Sequence, residues 1–103
     1  MAKERGIIYL ITDGSFFKIG RTNKDAVKRL KELQTGNSSK LELLQSVAVC
    51  NPSQVESTLH RRYSYCQHIN EWFDLTPQDV ELFKENCLAL DANFELLKKP
   101  IFI

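Results

Sequence analysis

Short-period alternation dominates the first twenty residues and predicts a hairpin. Gly6-Ile7-Ile8-Tyr9-Leu10-Ile11-Thr12 is rich in strand formers, Asp13-Gly14 is a preferred two-residue turn pair, and Ser15-Phe16-Phe17-Lys18-Ile19-Gly20 returns. A two-residue loop pairs Thr12 with Ser15 and sets Tyr9 opposite Lys18, whereas a three-residue loop sets Tyr9 against Ile19. The period then lengthens. Across residues 24–34, Ala26, Val27, Leu30 and Leu33 form an apolar stripe and Lys28, Lys31 and Glu32 face water, which predicts a first helix. Thr35-Gly36-Asn37-Ser38-Ser39 ends it. Leu41 to Cys50, with β-branched Val47 and Val49, reads as a third strand. Asn51-Pro52 opens a second helix with Asn as cap and Pro at the first helical position, its buried side being Val55, Leu59 and Tyr63. Ser64 to Asn70 is a connection and Glu71-Trp72-Phe73-Asp74-Leu75 a short extended piece. Thr76-Pro77-Gln78-Asp79 caps a third helix that carries Val80, Phe83 and Cys87 inward. For the apolar end Ile101-Phe102-Ile103 the pattern leaves open docking on the domain, contact with a second copy, or fraying.

The expected fold is α/β of the α+β type: a small central sheet built on the hairpin plus a third strand, flanked by about three helices. At 103 residues the expectation is one domain, with its motif-bearing core at about residues 5–75 and the third helix and tail over 76–103. No apolar run approaches the roughly 20 residues of a membrane-spanning helix. The N-terminus lacks the apolar stretch and cleavage site of a signal peptide. Three cysteines at unrelated spacings (Cys50, Cys66, Cys87) suit reduced thiols, so the expected location is the cytoplasm. The net charge of +1 is uninformative, but its distribution is not: residues 18–40 carry a balance of +5 and residues 41–103 a balance of −4. A basic segment of this kind can face a polyanion, or can simply be the solvated side of a helix.

The motifs then bring a resemblance. Gly6-Ile7-Ile8-Tyr9, Lys18-Ile19-Gly20-Arg21-Thr22 after a short hairpin, Arg29-Leu30 on the next helix and Glu56 on the second resemble the GIY-YIG endonuclease superfamily. Adding Leu33-Gln34-Thr35-Gly36, Leu59-His60 and Glu71-Trp72-Phe73 makes the chain similar to a compact phage and bacterial branch of it. The resemblance implies a mixed sheet flanked by helices and a one-metal hydrolytic site on the sheet face. It implies that Tyr9 takes a proton from the attacking water, that Arg29 contacts the scissile phosphate, that Arg21 adds to its neutralisation, and that Glu56 ligates Mg²⁺ or Mn²⁺. It departs from the family pattern at Lys18, which replaces the second motif tyrosine, and at Leu33, which replaces a histidine one turn after Arg29. His60, one turn after Glu56, is the candidate substitute for that histidine.

The physics of those roles is general. Phosphoryl transfer builds charge on oxygen, so fixed cations and a metal aimed there lower the barrier. A single carboxylate plus substrate phosphate is an adequate Mg²⁺ site. A tyrosine acts as a base only where neighbouring cations favour its phenolate, a task the two-residue-loop register gives to Lys18. Lys24, Lys28, Lys31 and Lys40 are the candidate nucleic-acid contacts. Each assignment has a plain structural rival. Tyr9 can be a packing residue, Arg29 can pair with Asp25 four positions earlier, and Ser53-Gln54-Val55-Glu56 can be a capping box. Cys66, His68 and His60 fit no zinc spacing, and Trp72 reads as core rather than as a base-stacking platform. The expected function is metal-dependent hydrolysis of nucleic-acid phosphodiester bonds, with DNA ahead of RNA. The alternative is a catalytically inactive nucleic-acid- or protein-binding module of phage or host-defence type. No membrane partner is expected, and a homodimer or a protein partner stays open.

Overall fold

The computed structural model describes residues 5–98, so the Ile101-Phe102-Ile103 tail lies outside the described residues. The elements run β1 (Gly6–Thr12), β2 (Phe17–Thr22), α1 (Ala26–Gln34), β3 (Glu42–Val49) and α2 (Pro52–Arg62). A 3₁₀ turn (Ser64–Cys66) leads to β4 (Gln67–Ile69), β5 (Trp72–Phe73), α3 (Pro77–Glu81) and α4 (Phe83–Leu97). The strands form one five-stranded sheet in the order β3-β1-β2-β5-β4. Every hydrogen-bonded pair in it is antiparallel, so the expected mixed sheet is corrected. The reason is the crossover: β2 and β3 run parallel with α1 between them in sequence, but β1 is inserted between them in the sheet.

Two departures from the sequence pattern matter for function. The hairpin loop has four residues, Asp13 to Phe16, so β1 and β2 pair Thr12 with Phe17, Ile11 with Lys18 and Tyr9 with Gly20. Both expected registers fail, because Asp13 does more than occupy a turn. Its Oδ1 accepts from the Ser15 and Phe16 amides at 2.9 and 2.8 Å, while the Thr12 hydroxyl donates to the Phe16 carbonyl at 2.9 Å. Side-chain bonds of this kind compete with a two-residue turn and widen it. Further along, the expected third helix is two, α3 and α4 parted at Leu82, which makes four helices in all among the described residues. Its start is as expected: Thr76 and Asp79 form a reciprocal capping box.

The sheet separates two apolar layers, as the alternation along β1 requires. Ile8 and Leu10 of β1, Ile19 of β2, and Val47 and Val49 of β3 point to one side, against Val55, Leu59, Tyr63, Phe83 and Cys87. Tyr9 and Ile11 point to the other, against Ala26 and Leu41 with Leu30, Leu33 and Trp72 alongside. Val27, assigned to the α1 stripe by its spacing, is half exposed. Gly36 follows the C-cap Thr35 with φ +85°, the left-handed conformation that ends a helix cheaply only with glycine. The three cysteines are free, and burial pushes the Cys87 thiol up to about 12. No helix among the described residues is long and apolar enough to cross a membrane.

Candidate active site

The site forms where the sheet runs out of partners. β5 pairs with β2 only at Phe17–Phe73 and Lys18–Trp72, and a last bond runs from the Ile19 amide to the Glu71 carbonyl at 3.1 Å. From Gly20 to Thr22 that edge of β2 carries no strand among the described residues. Groups from α1 on one face and α2 on the other therefore meet around an open strand edge.

Tyr9 enters from β1. Its phenol lies across Gly20, where any Cβ would run into the Tyr9 hydroxyl and Cζ, so glycine at this position is a steric requirement. The Tyr9 ring is 2 % exposed, and its hydroxyl reaches the Arg29 guanidinium. Hydrogen bonding to Tyr9, and then to Glu32, pushes the Arg29 pKa above its ordinary value and keeps it a fixed cation. Asp25, the rival partner for Arg29, instead caps α1 by accepting from the Val27 amide at 2.7 Å. Glu32 receives both Arg29 and Lys24 at 3.1 Å, and these cations, Lys24 foremost, hold its carboxyl below the usual range.

Arg29 faces a cleft of about 570 Å³ at the end of β1 and β2. Arg5, Arg21, Lys24 and Arg29 line it against the single carboxylate of Glu32, with Thr22 and Ser53 as hydroxyl lining. Four cations to one anion make the concavity suited to phosphate. Arg21 links this cleft to α2, its Nε standing 3.2 Å from Glu56 Oε1. Glu56 is not a cap. Asn51 is the N-cap residue, so Gln54, not Glu56, occupies the third helical position that a capping box needs. The Asn51 side chain makes no capping bond either; its amide donates to Asp91 of α4 at 2.8 Å, and its buried Oδ1 has no partner.

Below Arg21 the carboxylates converge. One ligand atom each from Glu56, His60 and Glu71 lies within 4.8 Å of the others, the one such group among the described residues. Glu71 also takes Lys18, whose Nζ stands 2.6 Å from Oε2 and 5.9 Å from the Trp72 ring centroid. Lys18 is therefore not opposite Tyr9, and the cation that meets the Tyr9 hydroxyl is Arg29. The predicted residues nevertheless connect: Tyr9 to Arg29, Arg29 across the cleft to Arg21, Arg21 to Glu56, and Glu56 with His60 and Glu71 to Lys18. Lys24 lines the cleft, whereas Lys28, Lys31 and Lys40 are exposed and outside its lining. The sequence reading gave no role to Arg5 or Glu71. The signal for Glu71 was available: Trp72 and Phe73 are explained by packing, and the charge beside them is not.

The donor set tests whether a divalent ion fits. Two carboxylates and an imidazole are all metal-ligating groups, and their donor atoms converge at the strand edge. No curated protein and no solved structure matches the sequence. One family does: the T5orf172 domain, found in phage and bacterial nuclease-like proteins, matches residues 6–87, which include every residue of the cleft except Arg5 and all of the carboxylate–imidazole group. On that match, the chain belongs to the T5orf172 domain family.

Proposed function

We propose that the chain is a metal-dependent endonuclease of GIY-YIG type that hydrolyses phosphodiester bonds in DNA. The observation that carries this reading is the double linkage of one cationic cleft, through Arg29 to a tyrosine and through Arg21 to a carboxylate. A structural salt-bridge network has no need of a net positive concavity between its members. Glu56 would hold Mg²⁺ or Mn²⁺, which when bound supplies Lewis-acid neutralisation of the phosphoryl oxygens. Arg21 and Arg29 bind the scissile phosphate, and Arg5 and Lys24 hold the strand beside it. Tyr9, paired with Arg29, is assigned as the base, or the base's partner, toward the attacking water.

Incubation of the full chain with supercoiled plasmid and with single- and double-stranded oligonucleotides, in Mg²⁺, Mn²⁺ or EDTA, tests the proposal. The expected result is metal-dependent nicking that falls about 10²-fold or more in Tyr9→Phe, Arg29→Ala and Glu56→Gln, all three remaining folded. Binding that weakens steeply with salt, without cleavage of any substrate, would replace the enzyme by a binding module.

A further inference from the structure

Glu56 alone is what the endonuclease resemblance asks of a metal site, yet the fold supplies two more donors and fixes one of them in advance. His60 Nε2 lies 2.8 Å from the Ile19 carbonyl. A carbonyl can only accept, so Nε2–H donates to Ile19 and Nδ1 is the ring nitrogen left to ligate. Phe73 leans on the ring at 5.2 Å between centroids, tilted by 49°. An imidazole oriented by a backbone carbonyl is the arrangement that metal-binding histidines require from their surroundings. Glu71 reaches the same point from the far side of β2, where its own carbonyl accepts the Ile19 amide.

Each carboxylate of the group already holds a cation from β2, Arg21 on Glu56 and Lys18 on Glu71. The donor spread of up to 4.8 Å is wide for one ion, since adjacent ligands about 2.1 Å from a metal stand only ~3 Å apart. To share one ion the donors must close up from that spread, each carboxylate exchanging its cation for the metal. We infer that Glu56, His60 and Glu71 form one three-ligand site for a first-row transition ion such as Mn²⁺, in preference to Mg²⁺, with Lys18 and Arg21 standing in for the ion until it binds. An imidazole donor favours such ions, whereas Mg²⁺ prefers an all-oxygen shell. Metal binding then returns Arg21 to the phosphate cleft that it also lines. What the ion does there rests on the endonuclease reading; that it binds these three residues does not.

Calorimetry and Mn²⁺ electron spin resonance on the full chain test this. Expected are one Mn²⁺ per chain, bound at least about tenfold tighter than Mg²⁺, with spin-echo modulation from one directly bound nitrogen. His60→Gln removes that modulation, and His60→Gln and Glu71→Gln each weaken Mn²⁺ by about 10–100-fold. Lys18→Met, which frees Glu71, tightens Mn²⁺. If His60→Gln loses its circular dichroism signature, the nitrogen modulation of the parent and the Glu71→Gln affinity decide alone. Equal affinity for Mn²⁺ and Mg²⁺, no nitrogen modulation and sensitivity only to Glu56→Gln would overturn the three-ligand site and leave the nuclease standing. A nitrogen-modulated Mn²⁺ site with no cleavage of any substrate supports the site and removes the nuclease. Absence of any metal binding removes the site.

Discussion

The two faces of the sheet are built to different standards. On the α2 and α4 face, Ile8, Leu10, Ile19, Val55, Leu59, Phe83 and Cys87 are fully buried and apolar, a dry layer that contributes most of the hydrophobic stabilisation. On the α1 face the fully buried set shrinks to Tyr9 and Ile11, with Ala26 and Leu41 nearly so, and Val27 is left half exposed. That thinner layer carries Lys18 against Trp72 and Arg29 against Tyr9, while Arg21, Glu56 and His60 lie on the α2 side at the open edge of β2. The α2 and α4 face supplies most of the packing in its interior and gives the site only groups at its rim, whereas the α1 face sets charge directly on its packed aromatic rings. The division makes opposite demands on substitutions in the two layers.

Phe83→Ala should have the largest effect on stability. Phe83 is 0 % exposed at the start of α4, and deletion of so large a buried ring costs about 3–5 kcal/mol. Urea denaturation should show that loss, while metal and nucleic-acid affinity of the fraction still folded stay at the parent's values. A change in those affinities greater than the loss of folded protein explains would break the division of labour.

Asp91→Ala comes next, because α4 is tied to the β3–α2 turn by one carboxylate. Asp91 accepts from the Cys50 and Asn51 amides and from the Asn51 side chain, at 2.8–3.1 Å. Removing it strands buried donors beside Asn51 Oδ1, which already lacks a partner, at a cost of about 2–4 kcal/mol. The loss should appear in denaturant midpoint and in faster amide exchange at Cys50 and Asn51. Unchanged exchange at those two amides would show that water replaces Asp91 at little cost.

Gly20→Ala sharpens the comparison from the other face. The new methyl meets the Tyr9 phenol, and overpacking of this kind costs about 1–3 kcal/mol. Its functional effect should be disproportionate, since the displaced group is the hydroxyl that holds Arg29. Nicking should fall about as far as in Tyr9→Phe, with the chain still folded. Parent-level nicking in a folded Gly20→Ala protein would remove Tyr9 from the proposed chemistry.

What the sequence disclosed follows the range of the interactions involved. Periodicity and local punctuation were enough for β1, β2, α1, β3 and α2, because Asp25, Gly36 and Pro52 mark boundaries within a few residues of where they act. β4 was missed and the α3–α4 break was not foreseen. Three strand residues with no buried member carry no alternation, and Leu82 has no local breaker beside it. Tyr9, Arg29, Glu56 and His60 stood out through the motif pattern, but their linkage was wrong in detail. It depends on a hairpin register set by the Asp13 side chain and on Glu71, brought to α2 only by the β2–β5 pairing. Long-range geometry of this kind is not written in spacing.

The smallest expected effect concerns that register. The Phe16 and Ser15 amides, in that order, hold the Asp13 carboxyl below its ordinary value of 3.8. A carboxyl whose pKa is lower in the folded than in the unfolded chain stabilises the fold fully above the unfolded value and loses that contribution as pH falls through the folded one. Asp13 is only half-buried, at a surface turn, so solvent screens much of the effect. Asp13→Asn keeps an acceptor for the loop but does not titrate. Its stability should therefore lie slightly below the parent's at pH 7, and the gap should close as pH drops below about 3.8. Because asparagine can still widen the turn, Tyr9 should stay opposite Gly20 and metal-dependent nicking at pH 7 should be unchanged. A gap that persists at low pH would assign the effect of Asp13 to loop geometry alone, and lost nicking would mean that the charge, not only the hydrogen bonds, fixes the register on which the α1 face depends.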